Sequence, residues 1–123
     1  MNYLGIDYGS SHIGLAKAPD GTNVAVPLRT ISNNNHVVSE LREIIAQEQI
    51  HELVVGYPIS LSGEVNTQAR EVDAFIVNLG HETGMPVHRQ DERFSSKSAP
   101  AAKNNHAQAA TLILQTYLEA HPS

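Results

Sequence analysis

The chain has no cysteine and no tryptophan, and only 5% of its residues are aromatic. Without cysteine there are no disulfides and no thiolate metal sites, so any metal is held by carboxylate oxygens, histidines or water. With four Tyr, two Phe and no Trp, base stacking can be only a small part of nucleic-acid binding. No run of about eighteen apolar residues occurs, and no basic segment leads into an apolar one at the start, so neither a membrane span nor a signal peptide is expected. A cytoplasmic protein with no membrane partner is the expectation. Lys and Arg number 8 against 13 Asp and Glu, a formal charge of −5, which argues against a protein that coats nucleic acid with a broad basic face. A nuclease stays open, because bound cations offset acidic residues at a metal site and a few local Lys or Arg side chains can grip phosphates.

What is present fits one globular domain over residues 1–123, with 41% hydrophobic and 17% charged residues. The stretch Leu4 to Ala16, LGIDYGSSHIGLA, organises the rest. Leu4, Ile6 and Tyr8 alternate with Gly5, Asp7 and Gly9, so a strand here turns three bulky side chains one way and Asp7 the other. The flanking glycines leave that carboxylate open to close approach by a metal or a phosphate. A plain hairpin, in which Asp7 merely helps the turn at Ser10 and Ser11, accounts for the same residues.

Further along, His12 to Ala18 continues as a second strand, and Asn23 to Ile31 reads as a third, with Pro27 marking an edge or an early end. Ser32 to Asn35 is a loop and a candidate N-cap. Val37, Leu41, Ile44 and Ile45 follow at helical spacing. Glu52 to Pro58 is an apolar strand ending in a turn. Val65, Ala69, Val72, Ile76 and Leu79 repeat as a second helix, whose end Gly80 and Gly84 are expected to mark. Pro86 to Gln90 is a weaker strand leading into Asp91-Glu92-Arg93, and Ala110, Ile113, Leu114, Tyr117 and Leu118 form a last helix. The order is three antiparallel strands followed by α-β-α-β-α, an α/β sheet of mixed strand direction. If the fourth and fifth strands run parallel to the first, their C-terminal ends share one edge, where ligands bind in open α/β sheets. Asp7, Asp91 and Glu92 then converge there. Counting back along the last helix puts His106 on its buried face, pointing an imidazole at the sheet. Two carboxylates and a histidine at one rim suit one or two divalent cations.

The stretches IDYGSSHIGLA, LVVGYP, VHRQDERFSSKSA and AATLILQTYL, in that order, resemble the YqgF (RuvX-like) family across nearly the whole chain. The resemblance implies an RNase H-like fold and a nuclease, described for that family as maturing the 5′ end of pre-16S rRNA or as resolving Holliday junctions. By resemblance, Asp7, Asp91 and Glu92 are metal-binding, and Arg93 and Ser95 position the substrate. Two positions depart from the family pattern: His106 stands where an acid is usual, and His12 where an Arg is frequent.

The expected chemistry is hydrolysis of a phosphodiester. Asp7 and Glu92 hold Mg²⁺ or Mn²⁺, His106 completes the site or moves a proton, Arg93 or Lys97 steadies the phosphate, and His12 and Ser95 are further nucleic-acid contacts. Neighbouring residues of an extended chain point to opposite faces, so one of Asp91 and Glu92 reaches the ion. The ordinary readings stand beside these: His106 as a helix-start histidine, Arg93 and Lys97 as surface charges, His12 as a turn residue. RNA is the first partner expected, acted on by a monomer or a homodimer. A resolvase acting on branched DNA predicts a dimer with two spaced sites. A lapsed nucleic-acid-binding module predicts binding without metal.

Overall fold

A computed structural model of the chain describes residues 1–19, 21–58, 67–91 and 105–121. Alternation in β1 (Tyr3–Tyr8) sends Leu4 and Ile6, both fully buried, to one face, and Gly5 and Asp7 to the other. β2 (His12–Ala18) pairs antiparallel with β1, placing Asp7 opposite Gly14, and β3 (Val26–Ser32) pairs antiparallel with β2. β3 begins three residues later than the pattern suggested. A register shift between Leu15 and Ala16 sets Ala16 opposite Pro27, and β3 is an outermost strand, the position a proline tolerates.

Helix α1 (Val37–Gln47) leads to β4 (Glu52–Tyr57), which pairs parallel with β1. Gly56 and Tyr57 are the last residues of this strand. Helix α2 (Thr67–Thr83) leads to β5 (Val87–Asp91), parallel to β4. Helix α3 (His106–Ala120) closes the described chain. The sheet order is β3-β2-β1-β4-β5. The mixed five-stranded sheet and its order of elements are those expected.

The two faces differ in side-chain size. On one, Leu4, Ile6, Ile13, Leu15, Leu53 and Val55 pack against α1 and α2. Each buried Leu or Ile contributes about 1.5–3 kcal/mol, so this layer dominates stability. The other face is floored by Gly5, Gly14, Ala16, Ala18 and Val54 and covered by α3 through Ala110, Ile113, Leu114 and Leu118. Small floor residues let a helix backbone come close.

Two helix ends differ from expectation. Gly80 lies inside α2, which runs on to Thr83; Gly84, at φ 68°, supplies the left-handed exit. The N-cap of α1 is His36, which makes no side-chain capping bond; Asn34 Oδ1 accepts from the His36 N–H at 2.9 Å instead. Among the described residues no helix is long and apolar enough to cross a membrane.

Candidate active site

Asp7 sits one residue before the end of β1, on the glycine-floored face, and His106 is the first residue of α3. Asn105 caps that helix, its side chain accepting from the Gln108 N–H at 3.0 Å, which fixes where the first turn starts. The approach beneath it is close: a Cβ at Gly14 would overlap the His106 backbone, and one at Gly5 would come within 2.7 Å of Leu114 Cβ. These two positions seat α3 directly on β1 and β2. The result brings His106 Nδ1 to 3.4 Å from Asp7 Oδ2.

Both side chains are largely shielded, with 28% of His106 and 18% of Asp7 exposed. Burial raises the Asp7 carboxyl above its ordinary 3.8, while the hydrogen bond and charge of His106 pull the other way and offset only part of it. A carboxylate desolvated with one imidazole beside it is short of counter-charge, and a cation would supply it.

His12, exposed at the start of β2, stacks on His106 with ring centroids 5.6 Å apart and planes 21° from parallel. Its sequence position suggested only a turn residue or a substrate contact. The turn between β1 and β2 is braced from the β3–α1 loop: Asn33 Nδ2 donates to Gly9 O at 2.8 Å, and the Asn33 N–H donates to Ser11 O at 2.9 Å. Asn33 was legible only as part of a polar loop.

At the C-terminal end of β4 and β5 a second set of contacts lies on the α2 face. Tyr57 donates its hydroxyl to Asp73 Oδ2 at 2.9 Å, and Arg89 Nε and Nη2 donate to Asp73 Oδ1 at 3.1 and 2.8 Å. The Arg89 guanidinium also lies 5.7 Å from the Tyr57 ring centre. Arg89 and Tyr57 hold the Asp73 carboxyl below its usual range, and that hydrogen bond pushes the Tyr57 phenol up. This trio shapes the rim and was not apparent in the sequence, where its members are separated by 16 residues on either side of Asp73.

Asp91 is the last residue of β5 and stands opposite Tyr57. His88 bonds Glu52 and stacks on Tyr117 of α3, whereas Arg89 reaches Asp73 of α2. Alternation therefore gives Asp91 the face of Arg89, the one opposite Asp7. Glu92, Arg93, Ser95 and Lys97 lie outside the described residues.

A divalent ion can be tested against the donors present. Ligands about 2.1 Å from one ion stand roughly 3.0–3.4 Å apart, and the Asp7–His106 separation of 3.4 Å falls in that range. Among the described residues no three His, Cys, Asp or Glu side chains gather to hold an ion, so this pair fits as part of a donor set completed by a further carboxylate or water. A cavity of about 430 Å³ lined by residues including Arg42, Ile50, His51 and Met85 shares none of these groups.

Comparison with known proteins identifies the family and the fold. A family model described as RuvX, Holliday junction resolvase, matches residues 1–120. A protein of Rickettsia canadensis named "Putative pre-16S rRNA nuclease" is 35% identical over 130 residues, covering 94% of this chain and 84% of that one. One of the same name from Maridesulfovibrio salexigens is 34% identical over 132 residues, covering 96% and 98%. Among solved structures, RuvC of Thermus thermophilus in complex with a Holliday junction substrate superposes with a TM-score of 0.64 at 18% identity, covering 98% of this chain and 94% of that one. At that identity the likeness shows the fold, an RNase H-like one.

Proposed function

The chain belongs to the RuvX family, and from that membership we propose that it is a divalent-metal-dependent nuclease that matures the 5′ end of pre-16S rRNA. The observation that carries this reading is the meeting of Asp7 and His106, 99 positions apart in sequence, at one rim of the sheet. In this reading Asp7 and His106 hold the ion together with Glu92. Of the adjacent acids Glu92 is preferred, because Asp91 shares the face of Arg89. An ion held there, Mg²⁺ or Mn²⁺, would supply Lewis acidity, lowering the pKa of a bound water and offsetting phosphoryl charge.

The chain's own residues supply the rest. Asp7 acts as the ionised carboxylate, a form its burial disfavours and a neighbouring cation restores. His106, pinned over Gly14, presents Nδ1 to that carboxylate and keeps the donor pair together. Arg93 and Lys97 steady the phosphate and Ser95 donates to its oxygens. His12, exposed beside His106, offers an imidazole edge to the nucleic-acid backbone.

A second reading, resolution of branched DNA, is favoured by the description of the matching family model. One experiment separates the two. A labelled RNA spanning a pre-16S 5′ leader and a four-way DNA junction are each incubated with chelator-stripped protein, before and after Mn²⁺ is restored. Metal-dependent cleavage of the RNA supports the proposal. Cleavage of the junction alone replaces it with the resolvase, and metal-independent binding without cleavage of either replaces both with a lapsed binding module.

A further inference from the structure

Resting on the metal-dependent reading above, we propose that the site discriminates against Mg²⁺ and selects Mn²⁺ and the later divalent ions, because His106 replaces an oxygen donor with an imidazole nitrogen. The structure sets that imidazole beside the carboxylate. Its backbone is seated on Gly14, and its Nδ1 faces Asp7 Oδ2 at 3.4 Å. On one side the ring stacks on the exposed His12, with centroids 5.6 Å apart and planes 21° from parallel. A nitrogen placed this way lies within reach of an ion that Asp7 binds.

Ion chemistry then decides. Mg²⁺ takes oxygen ligands in near-ideal octahedra and gives up its water reluctantly. Imidazole suits the first-row transition ions, whose affinity for such sites rises from Mn²⁺ through Co²⁺ and Ni²⁺. One carboxylate and one imidazole, both largely shielded from water, therefore form a poor start for a magnesium shell and an adequate one for manganese. Selection lies in this single side chain, so exchanging it should move the preference.

The test uses the full chain, stripped with chelator, in wild-type and His106→Asp forms, with thermal unfolding confirming that both fold. Calorimetric titration with Mg²⁺ and with Mn²⁺ gives the affinity ratio, and pulsed electron paramagnetic resonance of bound Mn²⁺ reports whether nitrogen is directly coordinated. Wild type is expected to bind Mn²⁺ at least about tenfold tighter than Mg²⁺, the scale on which changes around a site register in metal affinity. Its Mn²⁺ spectrum shows nitrogen coupling. In His106→Asp the coupling disappears and the ratio shrinks by about the same factor. The wild-type spectrum stands alone should the variant not fold. Equal affinities for the two ions, or Mn²⁺ bound through oxygen only, overturn the inference and leave the metal-dependent nuclease standing. Binding of neither ion overturns both.

Discussion

The backbone of His106 rests on Gly14: at that position of β2, any side-chain atom would overlap the carbonyl of the first residue of α3. Both Asp7 and Gly14 belong to one register pair of the sheet. The helix start is therefore seated on the residue opposite the carboxylate that its histidine meets. Seat and site are one piece of geometry.

Substituting Gly14→Ala forces α3 to shift or tilt. Overpacking of this kind costs about 1–3 kcal/mol, and here the obstacle is backbone. The expected outcome is a Tm lower by several degrees together with weakened Mn²⁺ binding, as Asp7 and His106 separate. Calorimetric titration of a folded Gly14→Ala protein checks the second effect. Unchanged Mn²⁺ affinity would show that the seat does not govern the site.

Asp7→Asn removes a desolvated charge while keeping the side chain's shape. The folded-state pKa of Asp7 is raised, chiefly by burial and against the pull of His106, so its protonated form is the one folding favours. Its stabilising contribution is complete below the ordinary carboxylate pKa of 3.8 and is lost as pH rises through the higher folded value. Metal-free Asp7→Asn should then melt a few degrees above metal-free wild type at neutral pH. The gap should close as pH falls below 3.8. Tm measured against pH for the two proteins in chelator checks both the sign and the window.

Asp73 behaves in the opposite sense. Its carboxyl is held low by Arg89 first and Tyr57 second, so it stabilises above the unfolded pKa, and that contribution disappears as pH falls through the depressed folded value. The pair is partly exposed, with 47% of Arg89 and 40% of Asp73 accessible, and exposed ion pairs contribute below about 1 kcal/mol. Asp73→Ala is expected to lower Tm by a few degrees or less at neutral pH and by nothing in strong acid. Thermal melts at pH 7 and below the folded pKa test this.

Asn33→Ala removes the side-chain donor to Gly9 O. A partly buried hydrogen bond contributes about 0.5–1.5 kcal/mol, so a modest drop in Tm is expected. Faster hydrogen exchange at the β1–β2 turn, read by mass spectrometry, is the more specific consequence.

The order of elements was legible because each carries its own periodicity. Alternation in Leu4-Gly5-Ile6-Asp7 identified β1 and the face of Asp7, and the stripe Ala110, Ile113, Tyr117 pointed His106 inward. Both conclusions needed only neighbours along the chain. The boundaries were less legible: Gly80 lies within α2 because packing of Phe75, Ile76 and Leu79 carries the helix past it, and only Gly84 takes the positive φ. The His12–His106 stack, the Asn33 brace and the Asp73–Arg89–Tyr57 trio join segments whose pairing depends on the assembled sheet. No local pattern announces such contacts. Gly14 was visible as a residue and not as a seat, since a strand glycine acquires that meaning only from the helix above it.

The most direct test of the metal site is the single-turnover rate at which Asp7→Asn cleaves the preferred substrate in saturating Mn²⁺, compared with wild type. With the variant folded and at least as stable, the account predicts a loss of at least about a hundredfold, equivalent to about 2.7 kcal/mol of barrier. A rate within about threefold of wild type, with the same metal dependence, would place the chemistry elsewhere and contradict it.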